Sequence, residues 1–390
     1  MARRPRVLVL NHFAAPLGQP GGTRHVELFS KLSGWDYLIV ASDRNNQTGE
    51  VVPAEPGFRT VRTISYTSNG FRRILNWISY AVMAVLFSMR LKKFDIVYAS
   101  SPHLLTGLAG WMIAKLRRVP FVLEIRDLWP KILVDMGQMA ERNPVYIVLV
   151  ALEKFLYRQA EHIVVMAPGT QAELESRGIS TNKISYIPNG TDPEDFKPSK
   201  SRDILRKKYG FTDTTLVYAG AHGPANGLDL LVDASIELDE LPIHIVLVGS
   251  GVEKARLQGR VNDLGLTKFH FLDPVPKSEI PDLLSAADIG LHVLADVPLF
   301  QSAVSPNKIF DYMAAELPII TNCPGYVTDL VVKSDAGIGC QPNDLANAVK
   351  HMMNYPIDGR CGRIWIEMNQ TRSLMATKVL TVLYSNLRSK

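Results

Sequence analysis

Lys308 and Asp311 stand three residues apart, directly behind Ser305, Pro306 and Asn307. That spacing puts an ammonium and a carboxylate on one helix face, one turn apart. Pro306 suits the first turn of a helix. Lys308 then sits where an incoming diphosphate would meet both a cation and the positive end of the helix dipole. Asp311, further along, can accept hydrogen bonds from both hydroxyls of a ribose. One short helix could thus hold both ends of a nucleoside diphosphate. Taken alone, the pair reads equally as a surface ion pair worth little.

Glycine turns recur beside this segment. Gly21-Gly22 follows the first apolar run and leads into Thr23-Arg24-His25. Such a loop brings backbone amides and a helix start to a phosphate or an acceptor, or it is a plain turn capped by Thr23. Tyr218-Ala219-Gly220-Ala221-His222-Gly223, with Asn226 after it, repeats the arrangement, and so does Val248-Gly249-Ser250-Gly251. Two glycine turns in one domain suggest a nucleotide across the C-terminal strand edge. In the first half, Ser100-Ser101-Pro102-His103 and Glu124-Ile125-Arg126-Asp127 mark two strand ends. Alternation gives Glu124 and Arg126 one orientation. Asp127 and His103 stand where cleft groups would, although His103 also reads as a helix cap and Asp127 as a turn residue.

The elements that must position these residues alternate in kind. Arg6–Leu10, Tyr37–Ala41, Ile96–Ala99, Phe121–Ile125 and His162–Val165 are short continuous apolar runs, as in parallel strands buried on both faces. Helical stretches at Thr23–Leu32, Leu104–Leu116 and Val145–Ala160 intervene. The pattern restarts at Thr215–Ala219 and continues through His244–Val248, Phe269–Phe271, Ile289–Val293, Ile319–Thr321 and Gly337–Cys340. The prediction is an α/β chain of two doubly wound, Rossmann-like domains facing a cleft. The Pro- and Gly-rich connector from Ile187 places the boundary near 190–200. We divide the chain as 1–190, 191–370 and a C-terminal helix, 371–390, that crosses back to the first domain. Ile74–Leu91 fits the alternation poorly. It is apolar nearly all round, with Arg72-Arg73 and Lys92-Lys93 at its ends. It reads as a buried helix, as a helix lying in or dipping into a membrane interface, or as a true span.

The totals bound the rest. With 390 residues and 46% hydrophobic content, the chain can bury two cores. Its three cysteines, Cys323, Cys340 and Cys361, form no CxxC pair, so neither a disulfide framework nor a zinc site is indicated, and a reducing cytoplasm fits. Residues 1–190 hold 23 Lys and Arg against 14 Asp and Glu, whereas the remainder holds 20 against 24. The first half is thus suited to something anionic. The basic residues are dispersed and lack interleaved exposed aromatics, which argues against a nucleic-acid partner.

Together these motifs resemble glycosyltransferase family 4, of the GT-B fold, over nearly the whole chain. Asp127-Leu128-Trp129-Pro130, Tyr218-Ala219-Gly220 and Asn226-Gly227-Leu228-Asp229 are similar to a bacterial subgroup of O-antigen and capsule assembly that includes L-fucosamine transferase-like proteins. The resemblance implies transfer with retention from a nucleotide diphosphate sugar, without metal or other cofactor. Gly21, Gly22, Gly220, His222, Asn226, Gly249, Gly251, Ser305, Pro306, Asn307 and Lys308 would serve the donor, Asp311 its ribose, and Val275 the base through its backbone. His103, Arg126 and Asp127 would line the reacting centre, and Arg24 and His25 the acceptor. That acceptor would be a polyprenyl-diphosphate-linked glycan, with the protein cytoplasmic and peripheral on the inner membrane surface. The donor guessed by similarity is UDP with an N-acetylated deoxy sugar. The departures are Ala303 and Asp311 where the family often has two glutamates, Glu316 where it has a helix-ending glycine, and no Arg and Lys pair after the second domain's first strand. They leave Lys308 as the probe of the class. A catalytically inactive scaffold would bind neither UDP nor GDP. A nucleotide-sugar 2-epimerase would convert donor without acceptor.

Overall fold

A computed structural model describes residues 3–66, 70–101, 103–305 and 307–387. Pro102 and Pro306 fall outside the described residues. The chain parts into two compact units, at Pro188/Asn189 and again at Thr371/Arg372.

The first unit comprises β1 (Arg6–Leu10), α1 (Arg24–Phe29), β2 (Asp36–Ser42), β3 (Phe58–Val61), α2 (Phe71–Met89), β4 (Ile96–Ser101) and α3 (Leu104–Arg117). It continues with β5 (Phe121–Ile125), α4 (Lys131–Asp135), α5 (Pro144–Gln159), β6 (His162–Val165), α6 (Pro168–Ser176) and β7 (Ile184–Tyr186). Its seven strands lie in the order β3-β2-β1-β4-β5-β6-β7, all neighbours parallel. The order reverses between β1 and β4, so a crevice opens at their C-terminal ends.

The second unit holds α7 (Arg202–Tyr209), β8 (Thr214–Ala219), α8 (Asp229–Leu238), β9 (Ile243–Val248), α9 (Lys254–Asp263), β10 (Phe269–Leu272), α10 (Ile280–Ala286) and β11 (Ile289–His292). Then come α11 (Asn307–Ala314), β12 (Ile319–Thr321), α12 (Tyr326–Lys333), β13 (Gly337–Gly339), α13 (Leu345–Asn354) and α14 (Arg360–Asn369). Its parallel sheet runs β10-β9-β8-β11-β12-β13, with the reversal between β8 and β11. The last helix, α15 (Arg372–Ser385), belongs to the first unit. There Met375, Ala376, Val379, Val382 and Leu383 join the core beneath β1 and β2. Arg372 pairs with Glu27 of α1 at 2.7 Å.

Two strands escape the sequence pattern. β3 and β7 are the outer strands of the first sheet, four and three residues long. Arg59 and Thr60 interrupt β3 and Ser185 interrupts β7, so neither offers a continuous apolar run. The segment that fitted poorly is α2, which is neither fully buried nor fully open.

Helix-to-sheet distance is set by small residues. On α3, a Cβ at Gly110 would stand 2.6 Å from the Ala99 Cβ of β4 and 3.1 Å from the Phe121 ring. Gly110→Ala gains about 1 kcal/mol of helix propensity. It also forces α3 away from the strand, at about 1–3 kcal/mol. The backbone-fixed Ala99 contact cannot yield as a flexible side chain would. We expect a net loss, seen as a melting temperature several degrees lower by circular dichroism.

Candidate functional site

In the second unit, Lys308 comes to the crevice between β8 and β11. α11 directs its half-buried side chain over the Tyr218 ring, 4.7 Å from Nζ to the ring centre, and Nζ donates to Asn226 Oδ1 at 3.3 Å. A Cβ at Gly220 would collide with the Lys308 stem, so glycine there makes room for the cation. Burial pushes the ammonium down to about 8, with Asp311 pulling it back up. Two buried histidines flank it. Burial lowers His292 to about 3, and the Lys308 charge adds to the shift. Burial, Lys254 and Lys308 together lower His222 to about 4. Both are therefore neutral at physiological pH. His292 Nδ1 meets Thr321 Oγ1 at 2.9 Å, while His292 Nε2 and both His222 ring nitrogens lack partners among the described residues.

The neighbouring glycines have a structural reason beyond any ligand. Gly249 (φ +147°) and Gly251 (φ +158°) lie against the carbonyls of Gly220 and His222, where a Cβ would collide. Backbone hydrogen bonds join the two turns, Gly220 N to Val248 O at 2.9 Å and His222 N to Ser250 O at 2.8 Å. The turns after β8 and β9 thus form one layered edge. Val275 lies half-buried in the loop after β10 at that edge, and Asn307, the first residue of α11, is exposed.

The connector does more than link. Asn189 grips the turn before α11: its N–H donates to Ser305 Oγ at 3.3 Å and its Nδ2 to the Ser305 carbonyl at 2.6 Å. Its own carbonyl takes a bond from Gln370 at 2.6 Å. Thr191 Oγ1 donates to Asp311 Oδ1 at 3.2 Å. The sequence reading treated 187–198 as a boundary and missed both roles. Both residues are buried, which composition does not show. Lys254 was also missed. Its Nζ donates to the Gly249 and Leu272 carbonyls, both at 3.0 Å, and to Asp273 at 2.9 Å, which ties the ends of β9 and β10 together.

In the first unit, His12 follows β1 and His103 follows β4, so both stand at that sheet's reversal point. His12 Nδ1 and His103 Nε2 are 2.6 Å apart. Tyr80 stacks on His12 at 4.2 Å and Trp77 on His103 at 4.7 Å. Burial and Arg73 push His12 down to about 3, and burial, His12 and Arg73 hold His103 well below its usual range. The pair is neutral and shares one N–H. His12 Nε2 and His103 Nδ1 have no partner among the described residues. His12 was missed, although two polar residues, Asn11 and His12, follow the apolar strand and mark its end. Arg126 is half-buried and Asp127 exposed at the β5 end. The surrounding protein raises the Asp127 carboxyl and Arg126 opposes the rise.

Arg24 and His25 differ from the acceptor-contact role that the resemblance implies. Both are buried, against Glu124. Arg24 Nη2 lies 3.2 Å from Glu124 Oε2, and the same guanidinium donates to the Ile187 and Pro188 carbonyls, each at 2.8 Å. His25 Nε2 faces Glu124 Oε1 at 2.9 Å, while its Nδ1 accepts from Asn11 Nδ2 at 2.8 Å. Tyr98 and Ser100 donate to the same carboxylate at 2.7 and 2.8 Å. The glycine loop leads directly into α1, which carries Arg24 and His25. Gly21 has φ +113°, and a Cβ at Gly22 would stand 2.9 Å from the Phe13 carbonyl.

Burial alone would raise Glu124, but Arg24 and His25 outweigh it and hold the carboxyl well below its usual range. Its contribution to stability is therefore present above its ordinary value of 4.5 and lost as pH falls below it. Glu124→Gln, which leaves Arg24 buried without its charge partner, should cost about 3–5 kcal/mol at pH 7 in urea unfolding. The variant should also lose part of the acid dependence of stability. An unchanged midpoint would contradict the cluster's role.

The chain matches two families, described as glycosyl transferase 4-like domain over residues 31–190 and glycosyl transferases group 1 over residues 213–355. It is 23% identical over 251 residues to the putative colanic acid biosynthesis glycosyl transferase WcaI of Escherichia coli K12. That match covers 62% of this chain and 61% of WcaI, so the chain spans about three fifths of that relative. In fold it is similar to sucrose-phosphate synthase from Thermosynechococcus elongatus, with TM-score 0.78 and 19% identity over 98% of this chain and 99% of that one. It is likewise similar to Anabaena Alr3699/HepE in complex with UDP-glucose, with TM-score 0.72 and 17% identity over 97% and 99%.

Proposed function

Because the chain belongs to the family 4-like glycosyltransferases of the GT-B fold, we propose that it transfers a sugar, with retention, from a UDP-sugar to a polyprenyl-diphosphate-linked glycan. The observation that carries the reading is Lys308 at the reversal point of the second sheet. It stands one helical turn before Asp311 and opposite Gly220.

The leaving group is a nucleoside diphosphate. Its negative charge grows as the glycosidic bond breaks, and fixed positive charge near that oxygen lowers the barrier. Lys308 and the start of α11 supply it without a metal ion or other cofactor. Asp311, held by Thr191, takes the ribose hydroxyls, and the Val275 loop takes the base. The diphosphate itself can receive the acceptor's proton, so no strong protein nucleophile is needed. Asp127, Arg126 and His103 stand at strand ends of the first unit to contact sugar and acceptor. The similarity to Anabaena Alr3699/HepE, which has been crystallised with UDP-glucose, favours UDP. Similarity to a putative colanic acid biosynthesis glycosyl transferase favours a surface-polysaccharide acceptor. The motif resemblance to the O-antigen and capsule subgroup points to an N-acetylated deoxy sugar and to a place on the inner face of the cytoplasmic membrane.

Titration calorimetry tests this directly. The wild type should bind UDP, and Lys308→Ala should weaken binding about 10- to 100-fold, the worth of a charge-assisted contact. Absence of UDP and GDP binding by the wild type would favour a scaffold instead. Transfer should persist in EDTA.

The pH dependence has a definite sign. The protonated Lys308 binds, so affinity is full below about 8 and falls above it as the ammonium is lost. The fall should approach about tenfold per pH unit for this single group. Lys308→Arg, whose guanidinium stays charged, should show a flat profile from pH 7 to 10.

A further inference from the structure

α2 is built inside out. Its 19 residues turn Asn76, Tyr80, Ala84 and Ser88 inward, and all four are buried. At about 100° per residue these fall on one side of the helix. Phe71, Ile74, Ile78, Val82, Leu86 and Met89 lie on the opposite side, each 38–71% exposed. A helix that meets only water places these residue types the other way round. Six large apolar side chains in one outward stripe are therefore unexplained by the fold of the first unit.

The charges around the stripe are of one sign. Arg72, Arg73, Arg90, Lys92 and Lys93 lie at its two ends, and no Asp or Glu occurs from Phe71 to Phe94. This narrows the occupant. A second copy laid on this face, parallel or antiparallel, would bring cationic ends against cationic ends. An acidic helix would meet the rim but would have to bury its charges along the stripe. An anionic lipid bilayer meets both requirements, because it offers acyl chains beneath a layer of negative headgroups. Among the described residues no helix is long and apolar enough to cross a membrane.

We propose that the outward stripe of α2 docks in the plane of an anionic bilayer, an inference that rests on the reading of a membrane-borne acceptor. The apolar stripe enters the headgroup boundary and the terminal arginines and lysines hold lipid phosphates, two weak signals acting together. The helix lies flat, with its inward face still on the sheet.

Sedimentation with vesicles tests this on the full-length protein. Vesicles of phosphatidylcholine with about one third phosphatidylglycerol should bind the wild type at least tenfold more tightly than phosphatidylcholine alone, since each basic residue adds to the attraction. Ile78→Asp with Val82→Asp should lower that binding at least tenfold, while the melting temperature stays unchanged because both positions are exposed. Arg72→Gln with Arg90→Gln should weaken binding to the mixed vesicles and leave binding to pure phosphatidylcholine unaltered. Wild type that ignores both vesicles, or a double aspartate variant that binds as well as wild type, overturns the proposal. So does a dimer in sedimentation equilibrium that the aspartates dissolve. If vesicles are bound but no UDP-sugar reaches any polyprenyl-diphosphate-linked acceptor, the acceptor reading falls and the docking surface stands. Transfer to that acceptor in detergent without vesicle binding sinks the docking surface alone.

Discussion

One half-buried ammonium organises the C-terminal edge of the second sheet. Lys308 can reach the reversal point between β8 and β11 only because Gly220 leaves space for its stem. Gly220 in turn sits under Gly249, whose backbone comes so close that no side chain fits there. Such glycines are the cost of threading a cation between two strand ends. The lowered pKa of Lys308 is the electrostatic consequence, since burial removes water that would otherwise stabilise the charge. An anionic ligand would return that stabilisation. The neutral state of His222 and His292 follows first from burial, and the Lys308 charge, with Lys254 at His222, adds to it.

The first unit handles charge differently. Glu124, one of its buried carboxylates, is matched inside the fold by Arg24, His25, Tyr98 and Ser100. Little of that charge is left over for a ligand. Among the described residues, the groups without hydrogen-bond partners at its reversal point include His12 Nε2, His103 Nδ1 and Trp77 Nε1, all uncharged. The second unit's reversal point thus carries a cation, and the first unit's carries two neutral histidines among aromatic rings.

Much of this was legible in the sequence, for identifiable reasons. Central parallel strands are buried on both faces, so β1, β5, β6 and β12 read directly as apolar runs with their observed bounds. The outer strands β3 and β7 carry no such run. Lys308 and Asp311 were legible because helical spacing alone puts them on one face. Arg24 and His25 misled for the opposite reason. Their place after a glycine loop is local, while the carboxylate that claims them lies 100 and 99 residues away in sequence. Asn189 and Thr191 were hidden in the same way. Composition marks their segment as a connector, and only the fold brings it to Ser305 and Asp311.

α2 carries this logic to the edge of what folding requires. Its inward side is fixed by specific contacts: Tyr80 donates to the Val40 carbonyl at 2.7 Å and stacks on His12, and Asn76 donates to the Ile64 carbonyl at 2.8 Å. Trp77, on its flank, stacks on His103. Polar and aromatic contacts thus hold the helix, and apolar burial is not needed from the other side. Positions such as Ile78 and Val82 are free to vary without loss of the fold. Large apolar residues at every such position, rather than the charged ones that water favours, reflect a requirement outside the folded unit. Because Trp77 and Tyr80 share that helix, whatever covers its outer face also bears on the rings that position His12 and His103. Surface and site are joined by a single rigid element of 19 residues.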